Sequence, residues 1–251
     1  MSDIQDFLQP PTVPAPGVFS SYKNGWDKLW KYFLELFLIG IVTFVLSELF
    51  TVPYYVLIYP ALSSTESADP SFQMIGMLIV FEVLSLIYST LFLTPLSYGV
   101  SFAYLKAARG EKPEVKDMFG GFRNYWNCVL SYLLVIAIVL IGLILLIIPG
   151  IVFSYKLSFV PYLVIDRKMT PVDAVKESWR MTGGYTWNIF FIGLLAIPVF
   201  IAGLLALIVG LIPAYMWVML ALASMYHAVS RKSLVKFPHP DSSTSLRSVS
   251  E

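Results

Sequence analysis

The chain has 251 residues, of which 57% are hydrophobic and 13% are charged, and its mean hydropathy is +0.74. Soluble domains carry roughly 25% charged residues, so this composition excludes an ordinary water-soluble protein and indicates an integral membrane protein. The 17 basic and 16 acidic residues nearly balance, which excludes a nucleic-acid-binding surface. The single cysteine, Cys128, excludes an intramolecular disulfide and a thiolate metal cage.

The two ends of the chain are predicted to be polar extensions of a membrane domain over residues 22–236. Residues 1–21 contain four prolines and two aspartates, with no basic segment leading into an apolar one. They predict a flexible Pro-rich arm and not a signal peptide. Residues 237–251 are rich in serine and cannot bury an apolar face, so they predict a disordered tail.

Long stretches with few or no charges indicate an all-α membrane protein with six transmembrane helices. Residues 181–230 contain no Asp, Glu, Lys or Arg, and residues 124–165 contain only Lys156. One span needs about 20 residues, so each stretch holds two spans, with turns expected at Pro149-Gly150 and at Gly210 to Pro213. The polar stretch Ser63 to Ser71 divides a third pair. The predicted spans cover about 30–59, 72–106, 125–148, 151–166, 185–209 and 213–231.

The basic residues fall on one side of this arrangement. Of the 17 Lys and Arg residues, 16 lie before span one, between spans two and three, between spans four and five, or after span six. Positive charge accumulates in cytoplasmic loops, so we expect both termini in the cytoplasm. The residues concerned are Lys23, Lys28, Lys31, Lys106, Arg109, Lys112, Lys116, Arg123, Arg167, Lys168, Lys176, Arg180, Arg231, Lys232, Lys236 and Arg247.

An amphipathic segment is predicted between spans four and five. Thr170 and Asp173 form a T-x-x-D capping box, with proline at the first helical position. We expect a helix over residues 171–182 in the cytoplasmic interface, with its apolar face toward lipid or the bundle and its basic face toward headgroups. The apolar face is Val172, Val175 and Trp179, and the other face includes Lys176, Glu177 and Arg180.

The same order of residues occurs earlier in the chain. Pro113 opens a short amphipathic stretch that closes near Gly120-Gly121 and is followed by aromatic residues and Trp126-Asn127. The later segment runs from Pro171 to Gly183-Gly184 and Trp187-Asn188 in the same order. Part of the same pattern, Gly25, Trp26, Trp30, Tyr32 and Phe33, occurs before span one. The repetition predicts three helical hairpins, each introduced by a short cytoplasmic amphipathic segment.

Three segments resemble a known group of proteins. They are residues 146–151, Leu-Ile-Ile-Pro-Gly-Ile, residues 161–166, Pro-Tyr-Leu-Val-Ile-Asp, and residues 171–184, which begin Pro-Val-Asp-Ala-Val-Lys. The chain resembles uncharacterised bacterial polytopic membrane proteins related to the membrane-anchoring domain of glycerophosphoryl diester phosphodiesterases. The motif A-[LV]-K-x-S-W-x-x-T-x-G matches at Ala174, Val175, Lys176, Ser178, Trp179, Thr182 and Gly184. The resemblance, sharpest over about residues 120–230, implies a multi-pass module of the bacterial cytoplasmic membrane without the soluble catalytic domain.

Three ionisable residues fall inside predicted spans, where a charge is costly and is expected to face a partner or water. Glu48 lies in span one, Glu82 in span two and Lys156 in span four, and together they are the candidate intramembrane polar cluster. The alternative is that both glutamates project into water while Lys156 reaches an interface. The sequence contains none of the common hydrolase, phosphate-loop or dinucleotide motifs, so no catalytic residue, metal ligand or cofactor is predicted.

Three functions stay open on the sequence alone. The first is a non-catalytic scaffold, anchor or regulator that binds the lipid bilayer and a membrane-protein partner or a second copy of itself. The second is a transporter or lipid-handling protein with a polar path through Glu48, Glu82 and Lys156. In that case Pro95, Pro161 and Pro198 would mark discontinuous helices. The third is an intramembrane enzyme with a catalytic pair among those carboxylates.

Overall fold

The computed structural model describes residues 15–49, 72–206 and 210–236, and the chain in these ranges forms helices without any strand. A π-helical segment, Ser89–Leu93, and a 3₁₀ helix, Val115–Asn124, accompany the α-helices of this part of the chain. The α-helices are α1 (Val18–Lys31), α2 (Phe33–Glu48), α3 (Phe72–Tyr88), α4 (Thr94–Arg109), α5 (Tyr125–Leu145), α6 (Ile147–Lys156), α7 (Val160–Asp166), α8 (Pro171–Thr182), α9 (Thr186–Leu205) and α10 (Leu211–Lys236).

Five helical stretches within the described ranges are long and apolar enough to cross a membrane. They are Leu78–Arg109, Val115–Leu145, Ile147–Asp166, Thr186–Leu205 and Leu211–Ser233. Helices α1 and α2 would supply a sixth membrane-spanning stretch if they are counted together, but the angle between the two helices is 89°. The all-helical class and the count of five to six spans agree with the sequence prediction, and the arrangement as three hairpins stays a prediction.

The first helix packs against α10, and the chain turns sharply at Tyr32, near the start of the first predicted span. A Cβ atom on Gly25 would lie 3.2 Å from the backbone nitrogen of Ala221, which is tighter than an ordinary van der Waals contact, so glycine favours this close packing. The indole nitrogen of Trp217 donates to the carbonyl oxygen of Tyr22 at 2.8 Å, and the Tyr22 hydroxyl donates to the carbonyl oxygen of Ile192 at 2.8 Å. These contacts fix α1 against α9 and α10.

Several sequence predictions concern residues near or beyond the described ranges. Helix α1 begins at Val18, four residues inside the arm predicted over residues 1–21, and the bend between α1 and α2 lies at Tyr32, close to the predicted start of span one. The polar stretch Ser63 to Ser71 and the predicted tail, residues 237–251, lie outside the described residues.

The first predicted turn lies wholly, and the second partly, inside the helix that follows it, for the same reason. Helix α5 ends at Leu145, and the next residue, Leu146, is extended with a φ of −165° and a ψ of 147°. Pro149 lies in the first turn of α6. Likewise α10 begins at Leu211, so Pro213 lies in its first turn. Proline is tolerated in the first turn of a helix, where its missing N–H would have no partner. The prolines therefore follow the breaks and do not form them.

The packed core lies around α4, α7 and α10. The apolar stretch of α10 is 61% buried, against 11–39% for the other four stretches. Tyr226 on α10 stacks on Tyr162 at 5.0 Å between ring centroids and meets Phe159 edge-on at 5.4 Å. Tyr104 on α4 is 1% exposed. Large aromatic side chains contribute most to such a core because each buries 150–250 Å².

The 3₁₀ helix packs directly on α4 through two glycines. A Cβ atom on Gly99 would collide with the carbonyl group of Met118, and one on Gly121 would collide with the carbonyl group of Pro95. A Cβ atom on Gly120 would meet nothing within 4 Å. The predicted repeat therefore differs between its copies, because the first amphipathic stretch is a 3₁₀ helix packed through Gly121, whereas the second is the α-helix α8 and a Cβ on Gly184 would be unobstructed.

The neighbouring glycines 120 and 121 provide a matched test of this packing. Gly121→Ala should lower the stability by about 1–3 kcal/mol, because overpacking against backbone forces the two helices apart. Gly120→Ala should leave it within about 0.5 kcal/mol, as for other open surface positions. Thermal unfolding of the detergent-purified chain measures both changes, and equal midpoints for the two variants would contradict the close contact.

Candidate functional site

The ends of α4, α7 and α10 meet in a group of polar and charged side chains that we call the charged end. It brings together residues from two predicted cytoplasmic connections, from the end of span four and from the end of the last span. Its members are Lys106, Arg109, Asp117, Asp166, Arg167, Glu177, Arg180, Tyr226 and Ser230.

An Arg–Asp pair holds the centre of the charged end. Both terminal nitrogens of Arg109 donate to the two carboxylate oxygens of Asp166 at 2.7 Å. The hydroxyl of Tyr226 donates to the same carboxylate at 3.0 Å. The side chains of the pair are 24% and 14% exposed. A two-pronged charge-assisted contact of this kind is short and directional, so Asp166 fixes the relative position of α4, α7 and α10.

A second group connects the start of the α7–α8 loop with α8 and α10. Arg167 donates to the Glu177 carboxylate at 3.4 Å and to the Ser230 hydroxyl at 2.7 Å. Arg180 donates to both carboxylate oxygens of Glu177 at 2.7 and 2.8 Å. The hydrogen bond to Glu177 raises the pKa of Arg180, which keeps this guanidinium charged. Glu177 is therefore shared between two arginines.

A third pair attaches the 3₁₀ helix to the end of α4. Lys106 donates to Asp117 at 2.8 Å, and the same carboxylate accepts from the backbone N–H of Glu114 at 2.8 Å. Asp117 thus caps its own helix while it binds α4. Helix α4 ends at Gly110, whose φ of +89° is the left-handed conformation that glycine adopts without strain.

Helix α1 joins the charged end through neutral hydrogen bonds. The side-chain nitrogen of Asn24 donates to the carbonyl oxygen of Ala108 at 3.2 Å and to the hydroxyl of Ser224 at 2.8 Å. The Tyr32 hydroxyl donates to the carbonyl oxygen of Gly110. The basic segment before the first predicted span therefore lies beside the basic segment that follows α4.

The structure places the three residues of the predicted polar cluster on different helices. Glu48 is the last residue of α2 and is partly buried, Glu82 is exposed on α3, and Lys156 ends α6. Among the residues that the structure describes, no ion pair joins Lys156 to either glutamate. Joint action of the three residues therefore stays a prediction.

Lys156 contacts α8 instead. Its ammonium nitrogen lies 4.3 Å from the centroid of the Trp179 ring, within the range of a cation–π contact. Its carbonyl oxygen accepts from the Ser178 hydroxyl at 2.7 Å and from the Thr182 hydroxyl at 3.2 Å. Helix α6 ends here, so this carbonyl has no partner in the next helical turn. Helix α8 thus fixes both the backbone and the side chain of Lys156.

A groove of about 520 Å³ lies beside Lys156, between α6 and the first turns of α9. Its walls are mainly apolar, and Lys156 is the charged residue among those that line it. Two of its lining residues, Tyr155 and Phe190, pack edge-on at 5.5 Å between ring centroids. The groove is also lined by Ile148, Ile151, Val152 and Trp187.

The predicted amphipathic helix is present, but its buried face differs from the predicted apolar face. Helix α8 begins after Thr170, whose hydroxyl accepts from the backbone N–H of Asp173 at 3.4 Å, as the capping box predicts. Val172 is 52% exposed and Trp179 is 36% exposed. Small and polar residues contact the bundle instead. The buried residues of α8 are Ala174, Ser178, Met181 and Thr182. The placement of Val172, Val175, Lys176, Trp179 and Arg180 at a headgroup interface stays a prediction.

The side chain of His227 is buried in α10 at 6% exposure. Its Nδ1 atom has no hydrogen-bond partner among the described residues. Within the same ranges, no group of three or more His, Cys, Asp and Glu side chains could hold a metal ion.

The charged end was not predicted, because most of its basic residues indicate only membrane topology when the sequence is considered alone. The available signal was Asp166, an acidic residue at the end of an apolar span and next to Arg167. A carboxylate in that position needs a cationic partner when it is half-buried. Its partner, Arg109, is 57 residues away in the chain, so no local pattern could identify it.

Comparisons with known proteins give a partial match. The chain is 33% identical over 85 residues to "Uncharacterized protein Rv2560" of Mycobacterium tuberculosis (strain ATCC 25618 / H37Rv) and to "Uncharacterized protein Mb2590" of Mycobacterium bovis (strain ATCC BAA-935 / AF2122/97). The match covers 34% of this chain, which spans about a quarter (26%) of the length of these curated relatives. No family model and no solved structure matches the chain. The resemblance to the phosphodiesterase anchoring domain stays a prediction.

We expect the Arg109–Asp166 pair to stabilise the fold. Asp166→Asn should cost about 1.5–3 kcal/mol, because it removes a charged acceptor and leaves the guanidinium half-buried. Lys112→Gln, which breaks the exposed pair with Glu35, should cost less than about 1 kcal/mol. Thermal unfolding in detergent measures both variants. Equal destabilisation by the two would show that the charged end contributes no more than a surface pair.

Proposed function

We propose that this chain is a non-catalytic membrane scaffold, a multi-pass module that holds an envelope or membrane partner. The proposal is supported by the contacts of the half-buried charged side chains, which pair with one another inside the fold. Arg109, Asp166 and Glu177 each bind helices or loops to one another. Buried ion pairs of this kind fix the relative position of the helices more than they increase the stability of the fold. A rigid end that presents basic side chains suits a docking platform.

We further propose that the module lies in a bacterial cytoplasmic membrane as three hairpins, with both termini and the charged end inside. The distribution of 16 of 17 basic residues on one side of the predicted spans supports this orientation. Bacterial relatives support the assignment to bacteria. The resemblance to phosphodiesterase membrane-anchoring domains supports an anchoring role.

The second candidate function is a transporter or lipid-handling protein with a path through Glu48, Glu82 and Lys156. The groove beside Lys156 favours it, because the walls are apolar and the single cation could guide a charged headgroup. The break between α6 and α7 adds support, since Pro161 lies in the first turn of α7 and the span is discontinuous there.

One pair of measurements separates the two functions. The full chain is crosslinked in its native membrane and purified in digitonin, and the mass of the purified complex is measured. A scaffold should carry a partner in a fixed ratio, and Asp166→Asn should lose it because the platform loosens, while Lys112→Gln keeps it. Liposomes that contain the purified chain should flip fluorescent phosphatidylglycerol no faster than empty liposomes.

The opposite pair of results would reject the scaffold. A chain that purifies alone from crosslinked membranes, and that accelerates flipping of the labelled lipid in a Lys156-dependent way, would establish lipid handling instead.

A further inference from the structure

The groove beside Lys156 is built like a lipid-facing site. Ile148 is 75% exposed on one wall and Trp187 is 72% exposed on the other. Both belong to helical stretches that are apolar enough to cross a membrane. In a bilayer, such surfaces contact acyl chains, and aromatic side chains like Trp187 concentrate near the headgroups. An acyl chain is therefore the natural occupant of the apolar part of the groove.

Lys156 adds a requirement for negative charge. Its ammonium nitrogen contacts the face of Trp179, and no ion pair neutralises it among the described residues. An ammonium group has three N–H donors. The contact with one ring face therefore leaves N–H donors of Lys156 that can bind another acceptor. Because an uncompensated cation beside apolar surface is costly, an anionic ligand gains most by binding there.

The cation is held in place before any ligand arrives. Ser178 and Thr182 bind the carbonyl oxygen of Lys156, and Trp179 holds its ammonium group. Phe153, one turn earlier on α6, packs on Trp179 at 5.2 Å between ring centroids. Binding therefore needs little further ordering of the lysine, which is the cost that preorganisation removes.

We propose that the groove between α6 and α9 binds one anionic phospholipid, with an acyl chain along Ile151 and Val152 and the phosphate group at Lys156. The volume of about 520 Å³ falls within the range of roughly 300–1,000 Å³ usual for small-molecule sites. The groove binds this lipid as a fixed ligand of the fold. The proposal does not depend on whether the charged end docks a partner.

Native mass spectrometry of the full chain in detergent tests this proposal. The chain is titrated with dioleoylphosphatidylglycerol and, separately, with dioleoylphosphatidylcholine, which has the same acyl chains and no net charge. Wild type should bind the anionic lipid at least about fivefold more tightly, as expected for one lysine near an anionic lipid. Lys156→Met should remove this preference, and Lys156→Arg should retain it.

Two controls make the result specific. Lys176→Met removes an exposed lysine of α8 that does not line the groove, and it should keep the preference. Ile151→Trp fills the groove without changing charge and should weaken binding of both lipids. Thermal unfolding in detergent shows whether each variant is folded. Inorganic phosphate at millimolar concentration should not displace the lipid, because it lacks the acyl chain.

Several results would overturn the proposal. Equal affinity of wild type for the two lipids would remove the role of charge. If the folded Lys156→Met variant still prefers the anionic lipid, the headgroup binds elsewhere. If inorganic phosphate displaces the lipid, the groove is a simple anion site. None of these results bears on the partner-docking role of the charged end, which is tested through Asp166.

Discussion

The ion pair between Arg109 and Asp166 is the contact on which the arrangement of the helices depends. It joins the last turn of α4 to the last residue of α7, and Tyr226 extends it to α10. Apolar helices pack against one another in a membrane without a hydrophobic driving force, because lipid tails are as apolar as leucine. Directional polar contacts at one end can therefore select a single arrangement of the helices.

The opposite end of the helices is held by close backbone approach. A Cβ atom on Gly142 would lie 3.0 Å from the Cα atom of Gly150, and one on Gly203 would lie 2.7 Å from the carbonyl oxygen of Gly210. Small residues of this kind let helices approach closely in a membrane. The molecule thus combines a polar, directional end with apolar tips that leave Ile144 and Leu205 exposed at 84% and 80%.

The sequence alone was sufficient to predict most of the helices, but it was not sufficient to predict the contacts between them. Charge-free stretches located the spans because crossing a membrane requires about 20 apolar residues, and the Thr170 cap located α8 because capping is a local interaction. The breaks were displaced by a few residues because proline fits the first turn of a helix as well as a turn. The charged end and the Lys156–Trp179 contact could not be predicted, since pairs such as Arg109 and Asp166 are distant in the chain.

Hydrogen–deuterium exchange of the full chain, wild type against Asp166→Asn, measures directly whether the charged end is one cooperative unit. Backbone amides that unfold together exchange together. The account predicts faster exchange in the variant throughout the last turn of α4, α7 and the part of α10 around Tyr226, with little change in α5 near Gly142. Faster exchange confined to α7, with α4 and α10 unchanged, would contradict it.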